Sequence, residues 1–197
     1  LKEVGVHDLG RILDHTIHVT QTFAAWLQDQ QDWEVMTNTG VNVLTFRFAP
    51  RDLKERLEKA RAEKDWKTME AINAHLNKLN ARFYQELDRA GKFYFSKTTL
   101  RHQAYEKGRH LAAECPACDS VTVFRNVNIK PYVRTSVLRD TINEILFLGA
   151  EIDKEMRGGG DPLYEHPIDG SLLPVLEQNL EFSGKKFFGP GPYLEML

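Results

Sequence analysis

No stretch of this 197-residue chain contains the roughly 18–20 consecutive apolar side chains that a bilayer-crossing helix requires. The first residues also lack the basic-then-apolar order of a secretory signal. Both absences argue against a membrane partner and make the cytoplasm the expected location. Cysteine is nearly missing: Cys115 and Cys118 are the only two, too few for a disulfide scaffold and suited to a reducing compartment. Charge of one sign is missing too. Lys and Arg number 26 against 28 Asp and Glu, and the basic residues are scattered, which excludes the concentrated patch that nucleic acid demands. No internal repeat is visible, and position 1 is Leu rather than Met, which leaves open a fragment, a processed product or an excised domain.

What is present is enough apolar content, 42%, to bury the core of one domain. From Asp8 to about Gln30 apolar residues recur at three and four, predicting a helix capped by Asp8. Trp33–Met36 and Val41–Phe48 read as strands of a hairpin with Asn38-Thr39-Gly40 between them, and Pro50 ends the second. The charged stretches Arg51–Glu63 and Asp65–Arg89, closed by Gly91, predict two largely solvated helices. Phe93–Thr98 and Val121–Ile129 are further strands, separated by a long loop over 101–119. A helix capped by Thr135 or Ser136 runs to about Arg157, where three glycines break it, and Pro-rich 158–197 reads as an extended tail. The expected class is α+β, a small, mainly antiparallel sheet covered by helices over 1–157.

Alternation along Val121–Ile129 places Arg125 on one face with Val121, Val123, Val127 and Ile129. A guanidinium on an apolar face cannot shed its proton, so it needs a carboxylate, a phosphate or a set of carbonyls as partner. Two partners are open: an internal Asp or Glu, which makes a structural ion pair, or the carboxylate or phosphate of a ligand.

The segment Phe124-Arg125-Asn126-Val127-Asn128-Ile129-Lys130-Pro131, followed by Leu138–Ile152, resembles the carboxy-terminal part of group II pyridoxal-phosphate-dependent amino acid decarboxylases. The opening helix running into residues 39–48, and residues 79–100, agree in the same order, so the resemblance covers about 1–155. It implies the carboxy-terminal small domain of a fold-type I enzyme, a lyase releasing carbon dioxide from an L-amino acid. Arg125 then stands where the family holds the substrate α-carboxylate, for which a guanidinium fork is the natural partner. It further implies an upstream large domain, a homodimer and pyridoxal 5'-phosphate. The arginine segment looks most like the glutamate and aspartate members. No catalytic residue is assigned within this chain.

Departures from the family are as informative. The chain has no His-Lys pair to carry the cofactor and no recognisable phosphate cradle, so the cofactor is expected on residues outside it. His15 and His18 read as surface or packing residues of the first helix. The arm over about 51–78 is longer than in many relatives and reads as a solvated hairpin or a docking surface. Cys115-Pro116-Ala117-Cys118 reads as inert thiols, as a redox pair, or, with His102 and His110, as a tetrahedral zinc site. The functional alternative is a noncatalytic interaction or dimerisation domain that keeps the fold without the chemistry.

Overall fold

The computed structural model describes residues 5–36, 40–91, 95–101, 115–127 and 135–158. The elements follow as helix α1 (Val6–Asp29), strands β1 (Trp33–Val35) and β2 (Val43–Phe48), helices α2 (Arg51–Glu63) and α3 (Trp66–Ala90), strands β3 (Ser96–Arg101) and β4 (Ser120–Val127), and helix α4 (Thr135–Gly158). The α+β class is as expected. In detail, α1 starts behind Gly5, so Asp8 is not its cap but a first-turn acid that faces the positive end of the helix dipole. Pro50 ends β2 and precedes α2, whose first N–H, that of Arg51, is taken by Asp32 Oδ1 at 2.9 Å. Asp65 caps α3 through the Thr68 N–H at 3.1 Å, and Gly91, at φ 64°, closes it in the left-handed region where glycine has no Cβ penalty.

The four strands pair antiparallel in the order β1-β2-β4-β3. One face carries Trp33, Leu44, Phe46, Phe48 and Phe124, all buried under α1, α3 and α4. Its rings meet edge to face, Phe23–Phe46 at 5.6 Å and Phe83–Phe124 at 5.1 Å between centroids, a geometry that aromatic quadrupoles favour. Helix α4 approaches closely at Gly149, where an added Cβ would stand 3.1 Å from the rings of Phe48 and Phe83. The opposite face holds a small cluster, Met36, Val121 and Val123 with Leu100 against it.

Helices α2 and α3 correct the expectation of a solvated arm. Leu53, Leu57 and Ala60 of α2 are buried, as are Met69, Ile72, Leu76, Leu79, Phe83 and Leu87 of α3. Dense charge on the outer faces masks an apolar stripe at helical spacing. Helix α3 also completes the sheet. The β2–β4 register stops at Phe46↔Phe124, and continued pairing would set Phe48 opposite Thr122. Instead the Asn80 amide accepts from Phe48 N–H and donates to its carbonyl, both at 2.8 Å. Asn77 Oδ1 accepts from Thr122 N–H at 2.7 Å, and Asn73 and Asn77 both donate to the Ser120 carbonyl at 3.0 Å. Three asparagines spaced four and three thus satisfy the backbone groups that the parting strands would otherwise strand in the core. The far end of the fold is tied by Arg157 of α4, which grips Asp52 of α2 with both Nη atoms. Most of the 101–119 loop, and the 158–197 tail beyond Gly158, lie outside the described residues.

Candidate functional site

Arg125 sits in β4 between Thr45 of β2 and Ser96 of β3, its partners across the sheet. Val121 and Val123 on its face are fully buried, but Arg125 itself is exposed, and Val127 beyond it is 41% exposed. Ile129 lies outside the described residues. The expectation of an enclosed guanidinium is therefore corrected: the cover over this face ends between Val123 and Arg125. A charge left in water needs no permanent acid partner, and among the described residues Arg125 meets no carboxylate. It is held by Ser96. The Arg125 Nε donates to Ser96 Oγ at 3.0 Å, and that hydroxyl donates to the Arg125 carbonyl at 3.2 Å.

The enclosed arginine of this face is Arg47 in β2, with no exposure at all. Its Nε is paired with the carboxylate of Glu34, directly opposite on β1, and its Nη1 donates to Asn73 Oδ1 at 3.0 Å. The requirement that sequence alternation placed on Arg125 is met at Arg47. A signal was present in the sequence: each strand of the predicted hairpin carries one lone charge, of opposite sign, among apolar neighbours. Nothing in Ser-Lys-Thr-Thr-Leu singles out Ser96 by sequence.

Cys115 and Cys118 are buried and unbridged, in a turn closed by the Cys118 N–H on the Cys115 carbonyl at 3.1 Å. Burial, and then contact with the Cys115 thiol, push the Cys118 thiol well above its ordinary range. A thiol held protonated is a poor nucleophile. His102 and His110, the other half of the zinc alternative, lie outside the described residues. Among those described, no three His, Cys, Asp or Glu side chains gather closely enough for a metal ion. His15 and His18 are exposed on α1, as surface residues should be. None of the described helices is long and apolar enough to cross a membrane.

Covalent attachment of pyridoxal phosphate needs a lysine enclosed in a site that lowers its pKa. Among the described residues, Lys59, Lys64, Lys67, Lys78, Lys97 and Lys154 are exposed, and half-buried Lys54 is held by the carbonyls of Gln31 and Trp33 at 3.0 and 3.1 Å. The described residues do not by themselves fit that cofactor.

No family model matches the chain. The aspartate 1-decarboxylase of Aliivibrio fischeri is 26% identical over 133 residues, which make up 68% of this chain and 22% of that protein. Mouse CSAD in its apo form has a TM-score of 0.54 at 15% identity, covering 75% of this chain and 26% of that one. The glutamate decarboxylase domain of a diaminobutyrate-pyruvate transaminase and L-2,4-diaminobutyrate decarboxylase from Vibrio parahaemolyticus has a TM-score of 0.51 at 17% identity, covering 76% of this chain and 24% of that one. Catharanthus roseus tryptophan decarboxylase in complex with L-tryptophan has a TM-score of 0.52 at 14% identity, covering 77% of this chain and 24% of that one. The chain thus spans about a quarter of each of these proteins, and its α+β architecture is one that amino acid decarboxylases contain as a minor part of their length.

Proposed function

We propose that this chain is the carboxy-terminal small domain of a pyridoxal-phosphate-dependent amino acid decarboxylase, and that Arg125 holds the α-carboxylate of the substrate. The observation that carries the reading is the state of Arg125: an exposed guanidinium, tethered through Nε, whose Nη atoms have no partner among the described residues. Such a group is ready for an acid that arrives and leaves. The fold shared with decarboxylases supports the reaction class, and the Aliivibrio fischeri relative supports an acidic substrate, aspartate or glutamate.

Two features support membership in a longer polypeptide. The sequence has no His-Lys pair and the described residues hold no enclosed lysine, which supports placing the cofactor, the supplier of the electron sink in this reaction class, on an upstream large domain. The first half of α1 also leaves Val6, Leu9 and Leu13 exposed at spacings of three and four, an apolar stripe of the kind that another domain covers. A cytoplasmic homodimer completes the proposal.

The test is carbon dioxide release from a panel of L-amino acids by the polypeptide that carries this chain. Arg125→Ala leaves the substrate carboxylate without its charged partner, an effect of about 2–5 kcal/mol, so kcat/KM falls by roughly thirty- to several-thousand-fold. Unchanged turnover in that variant would defeat the role of Arg125, and no carbon dioxide release from any amino acid by the parent polypeptide would defeat the decarboxylase reading and leave the noncatalytic interaction domain in its place.

A further inference from the structure

Resting on the reading of Arg125 as the carboxylate arginine, we infer that Ser96 is a positioning residue for the substrate: it fixes the guanidinium plane of Arg125 so that Nη1 and Nη2 face the incoming carboxylate together. An exposed arginine has four side-chain torsions and no reason to keep one orientation. Here the orientation is imposed from β3. Ser96 is the direct cross-strand partner of Arg125, so both side chains rise from the same face at adjacent sites. The Ser96 hydroxyl accepts from Arg125 Nε at 3.0 Å and spends its only proton on the Arg125 carbonyl at 3.2 Å. With the proton committed, the hydroxyl presents its lone pairs to Nε and cannot turn to donate elsewhere.

Occupying Nε selects which edge of the fork stays open. A carboxylate can meet a guanidinium along the Nε–Nη edge or end-on across the two Nη atoms. Ser96 blocks the first and leaves the second. The same division of labour is carried out inside this molecule by Arg157. Its Nε is bound by Asp153 Oδ2 at 2.7 Å, while Nη1 and Nη2 take the two oxygens of Asp52, which is 105 residues away in sequence, at 2.9 and 2.7 Å. The two tethers differ in charge. Asp153 neutralises Arg157, as suits a permanent structural tie. Ser96 is neutral and leaves the whole positive charge of Arg125 for the ligand.

A double-mutant cycle in the cofactor-loaded polypeptide that carries this chain tests the inference. Ser96→Ala is expected to raise KM for the amino acid roughly three- to tenfold. It should leave unchanged the inhibition constant of the decarboxylated amine, which lacks the group that Arg125 grips. Ser96→Thr, which keeps the hydroxyl, restores KM, and Ser96→Ala adds no further loss once Arg125 is already Ala. The inference is overturned if Ser96→Ala leaves KM unaltered, if it weakens amino acid and amine equally, or if the two losses simply add. Failure of the underlying reading looks different: Arg125→Ala itself would then leave kcat and KM untouched, whatever Ser96 does.

Discussion

Arg47 and Arg125 project from the same face of one small sheet, on neighbouring strands, yet they are held under opposite constraints. Arg47 is sealed from water and held by two partners that never leave, Glu34 on Nε and Asn73 on Nη1, while its buried Nη2 makes no hydrogen bond among the described residues. Arg125 stands just past the edge of the cover, with a serine on one nitrogen and no other partner on its fork among the described residues. A charge removed from solvent must be paired for the life of the fold, whereas a charge at the rim is free to pair with something transient. Residue type and strand face are the same for both. What separates the enclosed arginine from the exposed one is where the cover stops.

The comparison is broken most easily by stability. Arg47→Ala removes the cation paired with the buried Glu34 carboxylate and is expected to cost about 3–5 kcal/mol in urea unfolding of this chain. Arg125→Ala should stay within about 0.5 kcal/mol of the parent protein. Similar losses in the two variants would erase the distinction. The same rule applies next to neutral groups. Asn80→Ala leaves the Phe48 N–H and carbonyl unsatisfied, and a loss of about 2–4 kcal/mol is expected in the same measurement. A loss under ~1 kcal/mol would show that the strands close up without α3. Where neither charge nor hydrogen bond is at stake, packing decides. Gly149→Ala presses a methyl against Phe48 and Phe83 and should cost about 1–3 kcal/mol in thermal unfolding.

The smallest effect belongs to Asp32, which, unlike Arg47, can escape burial by taking a proton. Burial above all, and then the charges of Asp153 and Asp52, raise its pKa against the opposing pull of the Arg51 N–H and Lys54. The folded chain therefore holds this proton more tightly than the unfolded chain does. Stability from this group is gained as pH falls through the folded value toward the ordinary carboxylate value, and is lost again as pH rises. Relative to Asp32→Asn, which keeps an oxygen for the Arg51 N–H, the parent protein should gain stability between about pH 7 and pH 4. A difference that stays constant across that window would contradict the assignment.

Much of this architecture is legible in the sequence wherever a local period decides it. The Trp33–Phe48 hairpin, the stop at Gly91 and the helix from Thr135 follow from alternation, turn chemistry and spacing, and all are observed. Reading charge density as exposure failed for α3, because a helix is placed by one stripe of its surface and the other two-thirds can be as charged as solvent allows. The role of Asn73, Asn77 and Asn80 was illegible for a different reason: an amide's partner is set by which strands part beside it, a tertiary fact with no local trace. Alternation correctly put Arg125 on the face of Val121 and Val123, but it carries no information about where along a strand the cover ends. Ser96 was beyond reach because β3 and β4 are separated by a long connection, and no turn fixes their register from sequence.

The guanidinium fork at position 125 is proposed to receive a carboxylate from outside the chain. Arg125→Lys keeps the charge and loses the two-pronged geometry. In the cofactor-loaded polypeptide, measured by carbon dioxide release from L-aspartate and L-glutamate, this variant should fold like the parent protein and lose roughly ten- to a hundredfold in kcat/KM on whichever is the substrate. A lysine variant as active as the parent would contradict the claim, since a point charge would then do all that the fork is proposed to do.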